Sequence, residues 1–297
     1  MTIPVFNYAV DLAVEVRVHT LSNKNYQLIK GKNMSYTIEN TIDAATQYQS
    51  TSESPGILKR SAVLFYGILS YNIGVAGLVW LILAMGGLAP VGISPLQASS
   101  TISALFINLG LITLFGLQHS VMARAGFKKW ITRFLPEATE RATYMLMSGI
   151  VTITAIYLWQ PMPGTIWAVE NPVAQFALWT AYALGWSYLF LATFVTNHFE
   201  LMGLRQVYLY FSNKPYTQLP FTRKFMYRYS RHPMMLGFLI GMWAVPAMSV
   251  SHFVMAMLLT VYIVIGVFLE ERDLIKRFGT TYRHYKKEIA ILIPKIY

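Results

Sequence analysis

Residues 227–237 read YRYSRHPMMLG, so a guanidinium and an imidazole, Arg231 and His232, stand immediately before a proline and an apolar run. Proline loses no hydrogen bond in a first helical turn and its fixed φ suits a helix, so Pro233 reads as a helix start. Arg231 and His232 would then flank free backbone N–H groups and the positive end of a helix macrodipole, where an anion is favoured. The same cations could instead meet lipid headgroups, as basic residues beside membrane helices do. Three other stretches carry reactive groups: FGLQHSVMAR with Gln118, His119 and Arg124, NHFELMGLRQ with Asn197, His198, Glu200 and Arg205, and FLEERD with Glu270 and Glu271. His119 lies in or at the end of an apolar run, which suggests either function or an imidazole satisfied by a neighbouring helix. In the second stretch, helical spacing places Asn197, Glu200 and Leu204 on one face and His198 with Arg205 on another. A helix cap with an interfacial salt bridge is the competing explanation there. Adjacent acids at a membrane boundary repel one another, so Glu270 and Glu271 are better explained by a cationic ligand group or by partnership with Arg231 than by solvation.

The elements that position these groups are apolar helices. The 297-residue chain is 55% apolar, 14% aromatic and 12% charged, about half the charged fraction of an average soluble domain. Long apolar stretches run near 62–86, 101–122, 142–160 and 174–197. A fifth, 233–269, is too long for one crossing, and Pro246, Ser249, Ser251 and His252 divide it into a hairpin. The expected fold is therefore an all-α integral membrane protein with about six transmembrane helices, a C-terminal helical hairpin and a C-terminal tail on the cytoplasmic side. Of the 24 Lys and Arg residues, 6 precede the first span, 5 fall in 123–141, 6 in 198–232 and 7 after 269. None falls in 87–100, 161–173 or 247–252. This asymmetry puts both termini and both basic loops in the cytoplasm. It also assigns the net charge of +11 to topology and anionic lipid rather than to nucleic acid. With that topology, the four reactive clusters share one membrane level.

The chain has no cysteine, which removes disulfides, thiolate metal ligands and cysteine nucleophiles. Its six histidines form no H-x-x-x-H or H-E-x-x-H pair, so no metal site is expected. No G-x-G-x-x-G or P-loop pattern follows a strand. Residues 1–60 are rich in Ser, Thr, Asn and Gln and read as a poorly ordered cytoplasmic tail with a short helix near 4–18 and an alternative start at Met34. Residues 61–297 form the membrane domain. The segment EERDLIKRF is amphipathic and could lie on the membrane surface as an interfacial helix. Gly279 stops that helix, after which Tyr282 and Tyr285 present aromatic faces near the basic rim.

RHPMMLG followed by LEERDLIKRFGTTYRHYKKEIAILIP resembles the C-terminal signature of integral-membrane methyltransferases related to isoprenylcysteine carboxyl methyltransferase and phospholipid methyltransferases. FGLQHSVMAR, ERATYMLMSG, NHFELMGLRQVYLY and KPYTQLPF are similar to the nurim-related family, which includes methanethiol S-methyltransferases. Together the resemblance covers roughly 61–294. It implies S-adenosyl-L-methionine as cofactor, bound without a Rossmann domain in a pocket closed by the last membrane hairpin and the C-terminal segment. It further implies a small thiol such as methanethiol as acceptor, membrane lipid as surroundings and dimethyl sulfide as product. Cofactor contacts are then expected from Tyr229, Arg231, His232, Pro233, Gly237, Glu270, Glu271, Tyr282 and Tyr285. Thiol activation is expected from His198 or His119, with Arg205 and Glu200 beside them. The competing expectations are an isoprenylcysteine or phospholipid methyltransferase and a non-enzymatic nurim-like membrane protein.

Overall fold

The computed structural model describes residues 55–219, 221 and 223–293. Most of the polar tail, including the helix expected near 4–18 and Met34, lies outside the described residues. In chain order the helices are α1 (Ile57–Met85), α2 (Thr101–Met122), α3 (Ala125–Ile131), α4 (Glu140–Leu158) and α5 (Pro172–Val195). Then come α6 (His198–Leu201), α7 (Leu204–Phe211), α8 (Pro233–Trp243), α9 (Val250–Phe278) and α10 (Thr280–Glu288). Two short strands, β1 (Thr165–Ala168) and β2 (Ala247–Ser249), complete the order.

Polar residues just outside the apolar runs start the long helices. Ser100 accepts from the Ser103 N–H at the head of α2, Asn171 from Val173 and Ala174 at the head of α5, and Ser249 from His252 at the head of α9. Pro233 is the first residue of α8, as its place in the sequence predicts. Among the described residues, five helices, α1, α2, α4 with its preceding 3₁₀ turn, α5 and α9, are long and apolar enough to cross a membrane. The remaining crossing counted from sequence is the 11-residue α8, which rises only about 16 Å. It ends where Val245 precedes Pro246, since the residue before a proline is disfavoured in the α region. The hairpin is thus divided where the sequence indicates, but unequally. Its second arm does not stop near 269. With no Gly or Pro between Gly266 and Gly279, α9 continues unbroken to Phe278, so the amphipathic segment extends a membrane helix instead of forming a separate surface helix.

The bundle closes through small residues. A Cβ on Gly149 of α4 would sit 2.7 Å from the Gly74 Cα of α1, and one on Gly237 of α8 would sit 2.6 Å from the Gly185 carbonyl oxygen of α5. All three loops free of Lys and Arg meet at one end. There β1 pairs antiparallel with β2, the Gly92 N–H donates to the Ile156 carbonyl, and the Ala98 N–H donates to the Gln160 side chain. At the other end Arg124, just after α2, pairs with Asp273 of α9 at 2.6 Å.

Candidate active site

At this second end the C-terminal segment is tied to the R-H-P helix start. The Arg231 and His232 N–H groups donate to the carbonyls of Ala290 and Ile291, at 2.9 and 3.2 Å. Tyr285 donates its hydroxyl to the Tyr227 carbonyl at 2.6 Å. Beneath this seam lies a buried ion cluster. Arg231 Nε meets Glu271 Oε1 at 2.6 Å, with side chains only 7% and 3% exposed. Its Nη1 donates to the carbonyls of Lys286 and Ile289. Lys286 Nζ lies 2.6 Å from Glu271 Oε2, and the Tyr282 hydroxyl donates to Oε1 at 3.4 Å. His232 stands between the two acids, Nδ1 3.4 Å from Glu270 and Nε2 3.4 Å from Glu271. Burial by itself lowers the pKa of this ring. The hydrogen bonds and charges of Glu270 and Glu271 outweigh it and hold the imidazole above its ordinary value. The two carboxylates thus favour the protonated ring, in which both nitrogens face an acid.

A cavity of about 260 Å³ opens beside the cluster. Met234, Met235, Glu270, Leu274 and Phe278 form one wall, Tyr227, Tyr282 and Tyr285 another, and Arg141, Glu200, Tyr216 and Phe221 close it. Phe221 meets Tyr282 and Tyr285 edge-on, with centroids 5.9 and 5.2 Å apart. Burial pushes the Tyr285 hydroxyl up to about 12 and raises that of Tyr282, so both are neutral donors. Glu200 is held on the wall by Arg205 Nη1 at 2.8 Å and by the Tyr216 hydroxyl at 2.6 Å. Arg205 also donates to Thr217. Asn197, at φ 78°, caps α6 by accepting from the Glu200 N–H, turning the chain so that Glu200 faces inward. Among the described residues, no group of His, Asp or Glu is arranged to hold a metal ion.

A methanethiol S-methyltransferase from Mycobacterium tuberculosis is 41% identical over 238 residues, which are 80% of this chain and 98% of that protein. One from Crocosphaera subtropica is 40% identical over 251 residues, 84% of this chain and 98% of its own length. The chain belongs to the methanethiol S-methyltransferase family. Pig nurim is 28% identical over 242 residues, 74% of this chain and 91% of nurim. A family model described as phospholipid methyltransferase matches residues 176–281, a segment that contains α8 and α9 but neither Arg141 nor Tyr282. No solved structure matches.

In this family member, the residues singled out in the sequence separate into three groups. Glu200, Arg231, His232, Glu270, Tyr282 and Tyr285 border the cavity. Within that group Arg231 is paired with Glu271, which is buried outside the lining, whereas Glu270 is 46% exposed and faces the cavity. Pro233 and Gly237 are buried at the α8–α5 contact, and Tyr229 is 64% exposed outside the lining. His198 and His119 lie outside the lining as well. His198 is buried and stacks on Phe194 at 4.5 Å. Its Nδ1 is 2.8 Å from Thr193 Oγ1 and its Nε2 is 3.0 Å from the Tyr71 hydroxyl. Thr193 donates its own hydrogen to the Phe190 carbonyl at 2.6 Å, so its oxygen accepts from Nδ1–H and leaves the Nε2 lone pair to Tyr71. Burial lowers the His198 pKa, which keeps this tautomer neutral. His119 sits among Phe115, Tyr144 and Tyr262, with Nδ1 3.2 Å from Ser148 Oγ.

Several lining residues were not singled out from sequence, among them Arg141, Tyr216, Phe221 and Tyr227. The Tyr227 hydroxyl is buried and finds no hydrogen-bond partner among the described residues. Arg141 belongs to ERATYMLMSG, a block recognisable by resemblance, whose one acid, Glu140, pairs with Lys128.

Proposed function

We propose that this protein transfers the methyl group of S-adenosylmethionine to methanethiol, giving dimethyl sulfide and S-adenosylhomocysteine. The observation that carries the reading is the cavity itself, bordered by Arg231, His232, Glu270 and the C-terminal tyrosines in a chain that aligns with almost the whole length of named relatives. Its lining suits the cofactor's chemistry. A half-exposed carboxylate, Glu270, and an orphaned buried hydroxyl, Tyr227, offer sites for amino or ribose groups, while Phe221, Tyr282 and Tyr285 offer aromatic surface to a purine. The bound cofactor supplies a methyl carried on a sulfonium, whose leaving group departs neutral and needs no acid catalyst.

The residues then have to bind, orient and exclude water. Met234, Met235 and Leu274 give an apolar wall suited to a small alkanethiol. Glu200, oriented by Arg205 and Tyr216, is a wall carboxylate available to the thiol proton. His198 is satisfied by Tyr71 and Thr193 outside the lining, and His119 belongs to the aromatic packing of α2, α4 and α9. By the distribution of basic residues, the cavity end of the bundle faces the cytoplasm.

The test uses protein purified in detergent without added lipid, given S-adenosylmethionine and methanethiol, with headspace sulfide as readout. Dimethyl sulfide should form. Glu270→Gln should weaken S-adenosylhomocysteine binding more than tenfold in calorimetry, the loss expected of one charge-assisted contact. Methyl transfer confined to prenylcysteine or phospholipid acceptors would replace the reading with a lipid methyltransferase. Absence of both transfer and cofactor binding would leave a nurim-like non-enzyme.

A further inference from the structure

The arginines around the cavity are not equivalent. Arg231 is consumed by Glu271 and two carbonyls, and Arg205 by Glu200 and Thr217. Arg277 is exposed and lies over the Phe278 ring at 5.0 Å. Arg141 lines the cavity, yet among the described residues it has neither an ion-pair nor a hydrogen-bond partner for its guanidinium. It is also held in place from behind. Gly203, at φ 87°, brings the turn between α6 and α7 so close to the first turn of α4 that a Cβ there would lie 2.6 Å from the Ala142 nitrogen and 2.8 Å from the Arg141 carbonyl carbon. That contact puts Arg141 and Glu200 on the same cavity. An always-charged fork on a partly enclosed space, with no protein acceptor within hydrogen-bond reach, calls for an anion, and carboxylates match its geometry.

We infer that Arg141 binds the α-carboxylate of the cofactor's methionyl group. The inference rests on the reading of the cavity as the S-adenosylmethionine site and deepens it. Under it, a contact to the methionyl end comes from α4, outside the 176–281 segment shared with phospholipid methyltransferases, while Arg231 holds the C-terminal wall. A separation of this kind gives Arg231 and Arg141 different tasks at one cavity. One secures the fold of the site and the other meets ligand.

The test compares S-adenosylhomocysteine with its decarboxylated analogue, which retains the amine and the adenosine. Calorimetry on purified wild type should show the analogue binding about 10- to 100-fold more weakly, as expected when a hydrogen bond to a charged partner is lost. In Arg141→Gln that preference should disappear, with the two ligands within about threefold of one another, and affinity for the analogue should stay near the wild-type value. A merely structural arginine would weaken both ligands alike, and an arginine serving the thiol would leave the preference intact. Either result overturns the assignment. Should Arg141→Gln not fold, Arg141→Lys keeps the charge without the fork and should show an intermediate preference. Equal weakening of both ligands in Arg141→Lys would count against the inference in the same way. Failure of wild type to bind either ligand is a separate outcome that rejects the cofactor site itself and this inference with it.

Discussion

Replacing Glu271 by Ala should release the C-terminal wall of the cavity. The substitution removes the carboxylate that meets Arg231 Nε and Lys286 Nζ, each at 2.6 Å, and leaves a guanidinium that is 7% exposed without its counter-charge. Breaking a buried pair from one side costs about 3–5 kcal/mol, because the surviving ion stays desolvated. Arg231 keeps the Lys286 and Ile289 carbonyls as acceptors, which favours the lower end, about 3 kcal/mol. At roughly 2–4 °C per kcal/mol for a chain of this size, the melting midpoint in detergent should fall by about 6–12 °C. Limited proteolysis should cut at Lys286 or Lys287 sooner than in wild type. Joint replacement, Arg231→Met with Glu271→Leu, removes both charges at similar bulk and should melt closer to wild type than Glu271→Ala does. A Glu271→Ala midpoint within about 2 °C of wild type, or a double variant that loses the sum of the two single losses, would refute the argument that this pair is a buried, mutually dependent clamp.

Other outcomes follow from the same geometry. His232, facing Glu270 and Glu271 of α9 with Lys286 and Tyr282 of α10 nearby, titrates above its ordinary value of about 6.5, so its stabilising contribution is full below that value. As pH rises through the higher folded-state value the contribution is lost, and a melting series from about pH 6 to about pH 9 should slope down more steeply in wild type than in His232→Gln. His198→Ala should remove partners from Tyr71 and Thr193 and lower stability by about 1–3 kcal/mol, leaving the pH profile of methylation as in wild type. Loss of an acidic limb in that variant would instead put the imidazole on the proton path. Gly237→Ala should depress folded yield sharply, because its Cβ would meet the Gly185 oxygen at 2.6 Å and the Leu189 nitrogen at 2.7 Å, backbone atoms that no rotamer can move. Normal yield would mean that α8 and α5 can separate without loss.

Sequence by itself determined the membrane class, the apolar helices, the start of α8 at Pro233, the hairpin division near Pro246 and the stop at Gly279. Each rests on local chemistry: hydropathy over a window, a missing N–H, a cap or a left-handed φ. It also grouped the reactive clusters at one end, because the basic residues report which loops lie together. Tertiary structure decided what each of those groups faces. Glu270 and Glu271 are neighbours in sequence, yet about 100° of helical rotation sends one toward the cavity and the other into the clamp with Arg231. Tyr227 and Tyr229 differ by two positions in an irregular stretch with no period to assign their directions, and only the former reaches the lining. His198 carries the residue type of a base, but its ring nitrogens are claimed by Tyr71, 127 positions away, and by Thr193. Arg141 is one basic residue among 24 until packing against Gly203 sets it on the cavity, where Arg231 and Arg205 are already paired with Glu271 and Glu200. Which charge meets a partner and which faces ligand depends on contacts between distant segments, and no local pattern encodes these.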